Sequence, residues 1–193
     1  MTRLGWAILA LILLVTGAFA SMLSFGPSPA PVPTPRVSAP AVKVAAQGLC
    51  VPVRGAPIAA LRDNWGEARA GGAREHHAID IMAATGTPVL ATAPGTIEKL
   101  FDSHDGGHTI YQRSADGGTV YYYAHLAGYR PGLHEGQAVR GGEAIGFVGA
   151  TGNADPGAPH LHFEIKRMAP GERWWQGANV NPYPLLAEPD ANR

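Results

Sequence analysis

A chain of 193 residues with 46% hydrophobic and 8% aromatic content can bury the core of one ordinary domain, while 25 Gly and 17 Pro exclude a build from long helices. Fifteen basic residues balance fifteen acidic ones with no block of like charge, so the chain carries no electrostatic footprint for nucleic acid. The lone cysteine, Cys50, excludes an intramolecular disulfide.

The chain opens with Met1, Thr2 and Arg3 ahead of the apolar run LGWAILALILLVTGAFA, which ends in Ala18, Phe19 and Ala20 before Ser21. A basic start, an apolar stretch and a small-x-small end form the pattern of a secretory signal. Apolar character persists through Met22, Leu23 and Phe25, and a run of roughly 20 residues is also long enough to cross a bilayer. Residues 1–25 therefore fit either a cleaved signal peptide or a retained anchor that associates with the membrane through residues 4–25. Either alternative delivers the rest of the chain to the periplasm or cell envelope. Residues 26–47 follow with prolines at 27, 29, 31, 33 and 35, which disfavour helix and central strand and predict a disordered, extended linker. At about 3.1 Å per residue, some 20 such residues reach roughly 60 Å.

From Gly48 the composition becomes mixed, and short β-branched or aromatic runs alternate with turn signals: TPVLATA, GTIEKLF, HTIYQR, TVYYYAHL, AIGFVGA and HLHFEIK. Asp116, Gly117 and Gly118 between two of these runs are a hairpin signature. The spacing predicts an all-β domain over 48–187, mostly antiparallel sheet in an open barrel or sandwich-like arrangement, followed by a tail at 188–193. Helix is confined to short pieces such as APIAALRDN, since no stretch sustains a helical period.

Eight histidines stand at 76, 77, 104, 108, 125, 134, 160 and 162, and two clusters carry a pattern. In EHHAIDI, His76 and Asp80 are four apart, which places both side chains on one face of an extended chain. In PHLHFEI, His160 and His162 share a face while Leu161 and Phe163 turn to the other side, where they can enter a core. Two imidazoles and a carboxylate with an open fourth position suit a catalytic zinc site rather than a closed structural one. Spare histidines beside such a site suit acid-base work because imidazole titrates near neutral pH. His77 and Asp80 are oddly spaced and face opposite sides of an extended strand, which favours His76 as the partner of Asp80.

The segments HHAIDIMAATGTPVLA, YYYAHL and TGNADPGAPHLHFEI, in this order and separation, resemble the HxxxD, YxHL-type and HxH motifs of the M23 family of metallopeptidases, the lysostaphin and LytM group. The resemblance extends over residues 60 to 184 and implies a LytM-type β fold. It implies His76, Asp80 and His162 as ligands of one zinc ion, with His125 and His160 as catalytic histidines. It further implies an endopeptidase acting on stem peptides or cross-bridges of peptidoglycan. Metal-free relatives that bind the wall or activate another hydrolase are the alternative, and they lack ligands that this chain retains. Family members commonly carry Gly two residues before the Asp, where this chain has Ala78; a positive φ there would cost about 1 kcal/mol or more.

Outside that set, Glu164 follows HxH at even spacing on a strand, a setting that predicts support of the ligands rather than general-base work. Tyr123 shares the face of His125 if the strand is regular and is thereby a candidate to bind substrate in the cleft. Arg74 is a second candidate, for a substrate carboxylate. Trp174 and Trp175 are expected to cover the sheet or rim the cleft, with an exposed sugar-stacking role as the alternative.

Overall fold

The computed structural model describes residues 48–72 and 74–187. The expected leader or anchor, the Pro-rich spacer and the tail lie outside them. Among the described residues no helix is long and apolar enough to cross a membrane.

The strands are β1 (Ala68–Arg69), β2 (Arg74–Glu75), β3 (Ile79–Met82), β4 (Pro88–Leu90), β5 (Gly95–Ser103), β6 (Gly107–Ser114), β7 (Thr119–Tyr129), β8 (Ala138–Val139), β9 (Ala144–Val148), β10 (His160–Arg167) and β11 (Ala178–Val180). A 3-10 turn at Ile58–Ala60 occupies the short helical segment expected near residue 58, and one helix, α1 (Pro182–Ala187), closes the domain. β1 and β2 form a small separate hairpin, and the remaining nine strands form one sheet in which every pairing is antiparallel. The all-β expectation therefore holds, and all six runs read as strands contain one. The hairpin at Asp116–Gly118 joins β6 to β7, with the Asp116 carboxylate accepting from Gly118 N at 3.0 Å.

The sheet is organised around β7 and β10. One edge of β7 pairs with β6, while its other edge pairs first with β10 and then, past Ala124, with β9. The far edge of β10 is shared by β3 at its start and β11 at its end. Alternation decides the two faces, because successive side chains of a strand point to opposite sides. On β10, Leu161, Phe163 and Ile165 are buried, while His160, His162, Glu164 and Lys166 point into a cleft. The core facing Leu161 and Phe163 gathers Ile79, Ile81, Val89, Ile97, Ile110, Leu126, Ile145 and Val148.

On β7 the alternation is interrupted. Leu126 pairs with His108 and Tyr123 with Ile110, so Ala124 and His125 together oppose Thr109, which is a β-bulge. His125 sits there at φ 60°, the only non-glycine residue with positive φ among those described. The extra residue lets Tyr121, Tyr123 and Leu126 face the core while Tyr122, Ala124 and His125 face the cleft.

This corrects the expectation for Tyr123, which presumed a regular strand. Its ring is fully buried against Phe163, its hydroxyl donates to Gln112 Oε1 at 2.7 Å, and it accepts from Thr92 N at 2.9 Å. Removing that hydroxyl strands two buried polar groups. Tyr123→Phe is expected to lower unfolding free energy by about 1–3 kcal/mol with little change in the cleft, read as a fall in the urea midpoint at constant m-value.

Candidate metal and catalytic site

Cross-strand register brings the first two functional side chains together. His162 on β10 lies directly opposite Asp80 on β3 and opposite Ala124 on β7. Directly opposed residues share a face of the sheet, so the imidazole and carboxylate converge. His76 arrives by another route. Residues 76–78 are not strand, and the His76 backbone is instead tied to Glu67 O and Gly66 N, which folds its ring back over Asp80. The even spacing thus pairs the right residues although the chain between them is not regularly extended.

His76 Nε2 is 3.0 Å from Asp80 Oδ1 and 3.2 Å from His162 Nδ1, and His162 Nδ1 is 3.2 Å from Asp80 Oδ1. Metal–ligand distances near 2.0–2.1 Å in a tetrahedron put neighbouring donor atoms about 3.3 Å apart. The triangle of nitrogen and oxygen donors therefore fits a tetrahedral ion such as zinc. His77, in contrast, is exposed and lies beside Trp65 and Glu75.

Each member of the triangle is held from behind. His76 Nδ1 lies 2.9 Å from Asn64 O, a contact that as a donated bond leaves Nε2 with its lone pair. Asp80 Oδ2 accepts from Arg69 Nη2 at 2.6 Å and from Asn64 Nδ2 at 3.3 Å, which turns Oδ1 toward the two imidazoles. His162 Nε2 is 3.2 Å from Glu164 Oε1, and Glu164 Oε2 in turn accepts from Asn179 Nδ2 at 2.9 Å. Glu164 therefore supports His162 from the side away from the cluster, as its strand setting predicted. Asn64, Arg69 and Asn179 carry no periodic signal linking them to the histidine motifs, and only folding brings them in.

Electrostatics follow from this packing. Burial opposes ionisation of Asp80, yet hydrogen bonds and charge from His162 and His76 outweigh it and hold the carboxyl far below the ordinary range. Burial likewise opposes charge on His162, and contacts with Asp80 and Glu164 outweigh it and raise its pKa.

His125 and His160 flank the triangle, with ring centroids 5.0 Å apart, and His125 is 5.5 Å from His162. Each is anchored through Nδ1 to a backbone carbonyl, His125 to Thr151 at 2.8 Å and His160 to Ala158 at 2.9 Å. With Nδ1 donating, Nε2 of each ring retains its lone pair. Burial pushes the His125 pKa down to about 4, against a partly compensating bond from Thr151. Thr151 is itself fixed, its hydroxyl donating to Leu126 O at 2.7 Å and accepting from His108 N at 3.1 Å. The next residue, Gly152, has φ 73°, and a Cβ there would overlap the Asp105 carbonyl and Gly107 N, so only glycine lets this loop close over the sheet.

These groups line a cleft of about 780 Å³. Arg74 lies at its rim, paired with Asp105 at 3.3 Å, and Tyr122 rather than Tyr123 lines the wall. Ala78 is fully buried without positive φ, so its Cβ is accommodated without the backbone strain that substitution for a left-handed glycine would bring.

An open His/Asp/His donor set on one face of an antiparallel sheet defines a candidate metallohydrolase. The family model of Peptidase family M23 matches residues 74–182, more than half of the chain, and the chain belongs to this family. It is 37% identical over 131 residues to the L-Ala–D-Glu endopeptidase of Bacillus subtilis (strain 168), covering 65% of this chain and 39% of that protein. It is 44% identical over 95 residues to the DD-carboxypeptidase/endopeptidase Mpg of Neisseria meningitidis serogroup B, covering 48% of this chain and 20% of that protein. The chain thus matches well under half the length of these curated relatives. The catalytic domain of lysostaphin from Staphylococcus simulans shares the fold with a TM-score of 0.56 at 30% identity, covering 66% of this chain and 92% of that domain.

The depressed pKa of His125 has a direct consequence in the metal-free chain. Above the unfolded value of about 6.5 the imidazole is neutral in both states and contributes no pH dependence. As pH falls toward about 4 the unfolded chain binds a proton that folded His125 refuses, so this residue lowers stability across that window. Imidazole NMR titration is expected to show His125 still neutral at pH 5.

Proposed function

We propose that the chain is a zinc-dependent endopeptidase that hydrolyses peptide bonds in the stem peptides or cross-bridges of peptidoglycan. The observation that carries this reading is the convergence of His76, Asp80 and His162 donor atoms within 4.8 Å of one another at the floor of the cleft, in a chain of the M23 family. The activities named for its relatives, L-Ala–D-Glu endopeptidase and DD-carboxypeptidase/endopeptidase, support a wall peptide containing D-residues as substrate. Residues 1–25 serve in this reading as export signal or membrane anchor and residues 26–47 as spacer, so that the domain at 48–187 works in the periplasm or cell envelope.

His76, Asp80 and His162 would hold one zinc ion, whose Lewis acidity polarises a carbonyl and lowers the pKa of water toward neutrality. The remaining chemistry belongs to the chain. Arg69 and Asn64 restrain Asp80, and Glu164 restrains His162, so the donors need no rearrangement. The cleft aligns an extended peptide along the sheet. His125 and His160 present Nε2 to the scissile bond, where one imidazole takes the proton of the attacking water and, once charged, delivers it to the leaving amine. The other, when protonated at Nε2 as well, donates to the oxygen of the tetrahedral carbon.

Zinc analysis of the purified chain is expected to return one ion per chain, and mass spectrometry of muropeptides to reveal the bond cleaved. His162→Ala should abolish both zinc and digestion; digestion that survives in this variant rejects the zinc mechanism. His125→Ala should retain zinc and lose about 10²–10⁴-fold in turnover. Glu164→Gln should weaken zinc affinity about 10–100-fold, measured by competition with a chromogenic chelator.

A further inference from the structure

The cleft does not end at the metal cluster. Tyr122 packs edge-on to His162 with centroids 6.1 Å apart, Tyr111 lies 4.6 Å beyond Tyr122, and Trp174 lies 4.6 Å beyond Tyr111. Trp174 then touches Phe101 at 5.3 Å and Trp175 at 5.0 Å. A continuous row of aromatic rings therefore runs from His162 across β7, β6 and β5 on the cleft face of the sheet. Its inner members are partly buried, whereas Phe101 is 40% and Trp175 49% exposed.

Among the described residues the exposed large apolar side chains are Met82, Phe101 and Trp175. Met82 lines the cleft and the other two stand at the outer end of the row. Phe101 and Trp175 both adjoin Trp174, so their exposed apolar surfaces lie together, as they do at binding surfaces.

The row is also held in place. Residues 168–177 cross from β10 to β11 as a loop pinned by Met168 N to Gly118 O at 2.9 Å and by Arg113 Nη2 to Glu172 O at 3.1 Å. Arg113 is itself fixed by Glu98, with Nε to Oε2 at 2.6 Å. Arg173 lies over the Trp175 ring at 5.4 Å, which orients an exposed aromatic face beside a hydrogen-bond donor. Flat aromatic faces bordered by polar groups match pyranose rings, whose axial C–H faces are apolar and whose rims are hydroxyl and amide.

We infer that Phe101 and Trp175 form a subsite for the glycan strand of peptidoglycan, continuous with the peptide cleft. The inference rests on the proposed wall substrate: a stem peptide in the cleft is covalently joined to its N-acetylated sugar, and from Tyr122 in the cleft wall the Tyr111–Trp174 contacts lead on to the exposed rings. A protein partner of the same surface lacks that covalent link to the cleft.

The test uses the full chain with Phe101→Ala and Trp175→Ala combined, and Trp175→Tyr as the conservative change. Two substrates are compared: intact sacculi, and cross-linked stem-peptide dimers freed of glycan by an amidase. The double variant is expected to digest sacculi about tenfold more slowly and the glycan-free dimers at the parent rate, with Trp175→Tyr close to parent on both. Equal loss on both substrates, or no loss on either, overturns the subsite; the second result would leave the patch as a protein-docking surface. If the parent chain cleaves neither substrate, the proposed peptidase reading fails by itself and calorimetric titration with an N-acetylglucosamine oligomer decides the subsite. Saturable binding that the double variant lacks, at an unchanged thermal midpoint, supports it, and absence of binding to the parent overturns it.

Discussion

The antiparallel pairing of β10 with β3 on one side and β7 on the other is the constraint on which the rest depends. It opposes His162 to Asp80 and aligns both with Ala124, so three strands deliver their side chains to a single point. The same register sends Leu161 and Phe163 into the core, which means that one hydrophobic alternation both stabilises the sheet and aims the polar residues. A slip by one residue would bury the histidines and expose the core. Burial of the opposite face therefore enforces the precision of the donor cluster.

A second device acts where regular alternation would fail. His125 must reach the cleft from a strand whose neighbouring odd-numbered residues, Tyr121 and Tyr123, fill the core. The bulge at Ala124 and His125 resolves that conflict by adding a residue, and the left-handed conformation of His125 re-aims its ring. Thr151 locks the result by accepting from the imidazole while its own hydroxyl bridges Leu126 and His108. The loop that carries Thr151 packs against the 105–107 turn only because Gly152 has no side chain. The placement of His125 in the cleft is a property of loop and sheet together.

The polar network behind the cluster follows the same logic. Charged groups withdrawn from water are tolerable only when paired, and Asp80, Arg69, His162 and Glu164 pair with one another across three segments. The donors are consequently oriented before any ligand arrives. The aromatic row from Tyr122 to Trp174 gives the same face of the sheet an apolar continuation beyond the cleft.

Local pattern alone determined much of this protein. Period-two alternation and Gly-punctuated turns specify an all-β domain, and two motifs pair His76 with Asp80 and His160 with His162, because those signals lie within a few residues and depend only on backbone geometry, whereas the choice of donors among them came from the family resemblance. The resemblance of three ordered motifs to M23 peptidases carried His125, which no spacing rule reaches. What only the tertiary structure decided are features that depend on partners far along the chain. Asn64 and Arg69 behind Asp80, Asn179 behind Glu164, and Thr151 behind His125 are brought in by folding, and nothing in their local sequence announces it. The bulge belongs to the same category. A bulge is a mismatch between two strands, so β7 read by itself places Tyr123 in the cleft, whereas β7 paired with β6 buries Tyr123 and turns Tyr122 and His125 outward.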